Sequence, residues 1–214
     1  MDRMRVVVST ILYIVVVTAG TSVASAQRTE FAFGIGYSHL SMDDAPGEMD
    51  QQDGGRFEGR FSWRPFDERP QLRFGIGVGF SYYYDQSDAG NIISPPFAFG
   101  VDSFESLSII TPEFQVSWRQ PMSEKWWIEG GVGIGPAIGY YSAGDLIFED
   151  LFDEDVSETE VGLGIRPFLR AGFRGGDNWR WGFEGSYQWT DIDFGRFGRD
   201  PDEWYVGLFM AFGR

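Results

Sequence analysis

Residues 72–82 read LRFGIGVGFSY. Leu72, Phe74, Ile76, Val78, Phe80 and Tyr82 take every second place, and Arg73, Gly75, Gly77, Gly79 and Ser81 fill the places between. Side chains on a strand point alternately to opposite faces, so this pattern predicts a strand with one apolar face and one nearly bare face. The same period recurs on both sides of it. Before it come Phe31, Phe33, Ile35 and Tyr37 against Ala32, Gly34, Gly36 and Ser38, then Phe57, Phe61 and Trp63 against Arg56, Glu58, Arg60 and Ser62. After it come five more segments, near 110–119, 126–139, 161–174, 179–189 and 204–212, giving eight in all.

The connections alternate as well. Long ones are expected at 42–54, 85–105, 142–157 and 191–202, and short ones at 65–70, 120–124 and 175–178. Long loops at one end and tight turns at the other predict an all-β fold, an eight-stranded antiparallel up-and-down transmembrane barrel with both termini at the turn end. A soluble sandwich also alternates, but its apolar face is a core and its charged face meets water. Here the apolar phase carries seven of the eight tryptophans, Trp63, Trp118, Trp126, Trp179, Trp181, Trp189 and Trp204, mostly near strand ends, and no charge. That placement predicts aromatic girdles at two membrane interfaces.

Ahead of the strands, Arg3 and Arg5 precede an apolar run over 6–17, and small residues end in Ala24-Ser25-Ala26. This is the layout of a cleavable signal peptide over 1–26, with the barrel domain expected over 27–214 and export to the outer membrane. The run is shorter than the roughly 20 apolar residues a membrane helix needs.

Composition narrows the chemistry. Seventeen Lys and Arg against 32 Asp and Glu give a net charge of −15 in 214 residues, which argues against nucleic acid as a partner. With no Cys and a single His, there is no thiolate site and no multi-histidine metal centre, and no cofactor is expected. Twenty-nine glycines are near twice the usual ~7% share, and a mean hydropathy of −0.22 reflects fine interleaving of apolar and polar residues.

The pattern as a whole, over 27–214, resembles the small eight-stranded outer-membrane barrels of the OmpA/OmpX type, the generic outer-membrane β-barrel domain family. It departs from that family at its end, where Phe212 is followed by Gly213-Arg214 rather than closing the chain. The resemblance implies a non-enzymatic membrane protein with a structural or surface-interaction role.

Eight strands enclose a lumen only wide enough for side chains to fill. Its inward charges are Arg56, Arg60, Arg166 and Arg170 against Glu58, Glu113, Glu129 and Glu184. An unpaired buried charge costs several kcal/mol, so this balance predicts a salt-bridge plug. A narrow channel for ions or small apolar molecules is the alternative. Arg64, Arg73, Arg119, Arg174 and Arg180 are expected as a solvated basic rim at the turn end, in contact with anionic headgroups. Three prolines inside strands, Pro112, Pro136 and Pro167, predict a bulge or locally broken pairing at each, with a register shift of one residue that would account for Leu107 and Ile109 on the lumen phase.

The long connections hold most of the acids but only Arg196 and Arg199 as bases. The expected partners are outer-membrane lipid and lipopolysaccharide, with weak divalent cation binding around Asp150, Asp153, Glu154 and Asp155 as one reading of those acids and a solvated charge run as the other. The chain is expected to be a monomer. Apolar clusters among the acids, near 92–104 and 146–152, read as a lid on the mouth or as a binding patch. His39 and Ser41 share a face of the first strand. This H-x-S pair resembles that of the outer-membrane lipid A deacylase, though there it lies late in the chain, and it marks a lipid A-modifying hydrolase as a further alternative, with Asp43 or Asp44 as its acid.

Overall fold

The computed structural model describes residues 29–43, 51–92, 99–145, 156–176, 178–195 and 198–213. Eight strands follow in order: β1 Thr29–Asp43, β2 Gln51–Trp63, β3 Leu72–Ile92, β4 Phe99–Pro121, β5 Trp126–Asp145, β6 Val156–Arg174, β7 Trp179–Asp191 and β8 Arg199–Gly213. Each pairs antiparallel with its sequence neighbour, and β1 also pairs β8, with Phe31 opposite Phe212, so the sheet closes into a barrel without edges. The expected signal segment, 1–26, lies outside the described residues.

Burial runs inside out relative to a water-soluble barrel. Arg56 and Arg166 are 0% and 1% exposed, whereas Phe57 and Leu169 are 57% and 63% exposed. Along β7 and β8 the alternation of buried and more exposed residues is unbroken from Arg180 to Thr190 and from Glu203 to Ala211, with polar or small residues and the rings of Tyr205 and Phe209 turned in. A closed sheet with its apolar face outward has nowhere to bury that face except in lipid or detergent.

At the turn end the connections are as short as the sequence indicates. Ser123 and Met122 both donate to the Trp126 carbonyl, at 3.1 and 2.9 Å, and the Ser123 hydroxyl accepts from the Trp126 amide at 3.1 Å. At the other end the strands outrun the expectation. The stretch 85–105 is mostly hairpin rather than loop, with Asp85 opposite Glu105 and Asp88 opposite Asp102. Its polar composition predicts a loop, but residues 85–92 and 99–105 pair as strands.

The prolines break the pairing as expected, but without the expected register shift. The β4–β5 ladder lacks pairs between Ile110↔Ile138 and Phe114↔Ile134, and in that register Pro112 and Pro136 lie directly opposite each other. The β6–β7 ladder lacks them around Pro167, between Ile165↔Trp189 and Phe168↔Ser186. Pairing breaks, yet the register is the same on both sides, so no bulge forms. A residue in an antiparallel ladder turns its N–H and C=O toward one neighbour only. Each proline turns its missing donor to the broken side and keeps its place on the other, opposite Val78, Leu163 and Val132 respectively. Leu107 and Ile109 therefore point into the lumen by the plain alternation of β4, with no register change, and both are fully buried.

Candidate functional site

The lumen is the built site of this molecule, and its middle is ionic. Glu184 of β7 stands at the centre: Oε2 accepts from Arg170 Nε at 2.6 Å and Arg60 Nη1 at 3.0 Å, and Oε1 accepts from Arg166 Nη1 at 2.7 Å. Arg166 forks across to Glu113 of β4, through Nη2 and through Nε at 3.2 Å, while Gln115 donates to the same carboxylate at 2.6 Å. Arg170 donates to Glu129 of β5 at 2.9 Å. Glu58 of β2 lies within ion-pair distance of Arg60, Arg166 and Arg170, at 3.2, 3.0 and 3.5 Å. Arg56 turns instead to Glu203 of β8 at 2.8 Å and also donates to Gln188, Thr111 and Ser81. All eight of the charged residues named from the lumen phase are buried, seven of them in one ion-pair cluster and Arg56 paired with Glu203.

Long side chains fit because the facing walls are bare. A Cβ at Gly79 would overlap the Arg56 guanidinium, and one at Gly133 would overlap the Glu113 carboxylate. Aromatic rings floor the charges: Arg170 lies 3.6 Å from the Phe168 ring centroid, Arg60 5.4 Å from that of Phe209 and Arg56 5.9 Å from that of Tyr205. A guanidinium over a ring face gains from the ring quadrupole while leaving its edge free for carboxylates.

Two glutamates of the lumen are absent from the sequence expectation, Glu203 and Glu30. Both sit on the inward parity of their strands, so the signal was present. They were lost because the segments were drawn from Phe31 and Trp204, one residue too late in each case. Glu30 reorganises the turn end. Arg119 grips it through two bonds of 2.8 and 2.7 Å, Arg180 donates to it at 2.9 Å, and Arg73 lies 3.6 Å away. Arg119 also donates to Glu129 at 2.6 Å, which joins this cluster to the central one, and stacks 3.9 Å from the Trp127 ring. Arg73, Arg119 and Arg180 are therefore not a solvated rim. They turn inward because Glu30 gives three cations one buried counterion. Arg174 stays exposed and Arg64 half-buried.

The opposite end is apolar. Leu40, Met42, Tyr83, Leu107, Ile109, Ala137, Tyr141, Ile192 and Phe194 form one buried cluster above the charges. The last two come from the chain just after β7, folded back over the mouth, where Phe194 donates its amide to the Gly198 carbonyl at 3.0 Å. An ion crossing the lumen would shed its water at this layer and then meet charges already paired.

On the outside, Trp118, Trp126, Trp179, Trp181, Trp189 and Trp204 are exposed and Trp63 half-buried. Five of these seven lie at the turn end, where Trp126, Phe173 and Trp181 form a chain of rings 5.1 and 5.9 Å apart. At the loop end Tyr187 sits 4.8 Å from Trp189 and 4.9 Å from Trp204. The eighth tryptophan, Trp127, points inward and is buried. His39 Nδ1 lies 2.8 Å from Asp53 of β2, which also accepts from the Tyr37 hydroxyl. The acid beside His39 is therefore Asp53, directly opposite it in the β1–β2 register, rather than Asp43 or Asp44. Ser41 lies opposite Gln51 and Asp202. Among the described residues no group of His, Asp and Glu is arranged to hold a metal ion; Asp150, Asp153, Glu154 and Asp155 lie outside them.

No family model matches the sequence, and no curated protein is similar to it at a significant level. Solved structures are similar in fold. The attachment invasion locus protein Ail of Yersinia pestis, in complex with the heparin analogue sucrose octasulfate, superposes with a TM-score of 0.52 at 15% identity, over 87% of this chain and 100% of that one. Neisserial surface protein A superposes with a TM-score of 0.50 at 12% identity, over 87% and 97% of the two chains. This chain has the small outer-membrane barrel fold. At such identities the likeness shows the fold alone, and the lumen chemistry belongs to this chain's own residues.

Proposed function

We propose that this chain is an outer-membrane β-barrel with a sealed lumen, acting as a structural and surface-contact protein rather than as an enzyme or a channel. The observation that carries this reading is the reversal of burial, with fully buried arginines inside and half-exposed phenylalanines and leucines outside. The turn end lies in the periplasm and the long acidic connections face outward, after removal of residues 1–26. Girdle tryptophans sit at the two headgroup levels, where an apolar ring with one polar edge is best placed.

The lumen works as a strut. Seven arginines and six glutamates from all eight strands tie opposite walls together, so that the barrel wall cannot flatten without separating buried pairs. Such a network adds little net stability over an apolar filling, but losing one member is costly, which favours a single arrangement of the walls. The apolar layer over it argues against conduction.

Outside, the surface chemistry differs from what a polysulfated ligand would favour. Ail is seen with such a ligand; the acidic connections of this chain repel polyanions. Contact with lipopolysaccharide would run through divalent cations held between its anionic groups and these acids. Tyr37, His39 and Asp53 serve as polar anchors at that outer interface.

Refolding the chain without residues 1–26 into vesicles tests the membrane reading. Brominated acyl chains should quench most of the tryptophan emission, because seven of the eight indoles face lipid. A chain that stays monodisperse in water without detergent, with unquenched emission, would overturn it.

A further inference from the structure

The turn-end mouth of the barrel holds a cavity of about 170 Å³ whose lining includes six cationic side chains set among proline and tryptophan. Arg64, Arg73, Arg119, Lys125, Arg174 and Arg180 line it, and its one acid is Glu124. Beneath lie Glu30 and Glu129, so six positive charges face three negative ones. Three are unmatched, in a chain whose net charge is −15.

Two further observations point to a missing acceptor. Arg73 and Trp127 both line the cavity, and both bury a nitrogen, Nε and Nε1, that has no hydrogen-bond partner. Buried donors are almost always satisfied, and an orphan costs about 1–3 kcal/mol. Arg119 is a donor itself, already spent on Glu30 and Glu129, so it can accept from neither nitrogen. Lys125 and Arg174 are brought side by side at the rim by the bond from the Arg174 amide to the Lys125 carbonyl, 2.8 Å. Surplus positive charge, two idle N–H donors and room for about six waters by volume describe a pocket for an oxyanion rather than for a cation or an apolar group.

We propose that this mouth is a phosphate site, with Lys125, Arg174 and Arg64 at the entrance and the Arg73 and Trp127 donors at the back. It takes a phosphate oxyanion, either free in the periplasm or carried by an anionic phospholipid of the inner-facing leaflet. Trp126, on the outer surface next to the same pocket, would then sit among the acyl chains of such a lipid. The site does not depend on what the opposite, acidic face contacts.

Calorimetric titration of the refolded protein in neutral detergent with inorganic phosphate, at ionic strength held constant by chloride, provides the first arm. Nanodiscs of phosphatidylcholine with phosphatidylglycerol, analysed by native mass spectrometry, provide the second. Saturable phosphate binding without enrichment of phosphatidylglycerol assigns the free ion; phosphatidylglycerol retained beyond its share assigns the headgroup. In either case the exposed double variant Lys125→Gln, Arg174→Gln should weaken binding at least tenfold while migrating as a folded barrel. Arg69→Gln, a turn cation outside the cavity lining, should leave it within twofold. The proposal is overturned if neither arm shows specific binding, or if the double variant and Arg69→Gln behave alike.

Discussion

Replacing Glu184 by Gln removes the carboxylate on which three guanidinia converge. In the native lumen its two oxygens accept from Arg60, Arg166 and Arg170 at 2.6–3.0 Å. A glutamine keeps the shape but offers one acceptor and turns an NH2 group toward the cations. Two unit charges 4 Å apart interact by about 4 kcal/mol at an effective dielectric of 20. Three such pairs are lost, but Arg60 keeps Glu58, Arg166 keeps Glu113, and Arg170 keeps Glu129, and those remaining pairs tighten. The expected cost is therefore that of breaking one buried pair, about 3–4 kcal/mol. Reversible urea unfolding in lipid vesicles, followed by tryptophan emission, measures it. Glu68→Gln, in the exposed turn between β2 and β3, is the control and should stay within about 0.5 kcal/mol. Equal midpoints for the two variants would mean that water already screens the lumen charges, and the strut argument would fail.

Glycine spacing gives a paired prediction: Gly133→Ala should destabilise by about 1–3 kcal/mol by driving Glu113 off Arg166, whereas Gly59→Ala, with open space around its Cβ, should be near neutral in the same unfolding assay. Pro112 and Pro136 face each other across the gap, so the flanking amides of Thr111, Glu113, Gly135 and Ala137 turn to the intact β3 and β6 ladders and should exchange as slowly as that of Val78; fast exchange there would contradict a gap without a bulge. If His39 is an interfacial anchor held by Asp53, then His39→Ala should leave the mass spectrum of lipid A unchanged in cells expressing the protein. Loss of an acyl chain that depends on His39 would instead establish the hydrolase.

The fold was legible because a two-faced strand repeats its parity over its whole length, so eight short patterns reinforce one another. Within the site, parity also marked the eight central charges. It was less informative at strand ends, where Glu30 and Glu203 lie one residue outside the drawn segments and yet recruit Arg56, Arg73, Arg119 and Arg180. Which cation meets which carboxylate depends on partners up to 150 residues apart, as between Glu30 and Arg180, and no local pattern encodes that. The prolines marked the faults in the ladder, but a missing donor is the same in a gap as in a bulge, and only the three-dimensional register shows that no residue is shifted. Asp53 was hidden in the same way, since it approaches His39 across the β1–β2 pairing rather than along the chain.

The central claim is that the lumen is closed, by paired charges in the middle and by Leu40, Tyr83, Leu107, Ile109, Tyr141, Ile192 and Phe194 above them. Single-channel recording of the refolded protein in planar bilayers tests it most directly. The account predicts a quiet baseline, with no discrete steps across the voltage range that the bilayer tolerates. Stable unitary conductance, altered in size or ion selectivity by Glu184→Gln, would show an open pathway through these residues and contradict it.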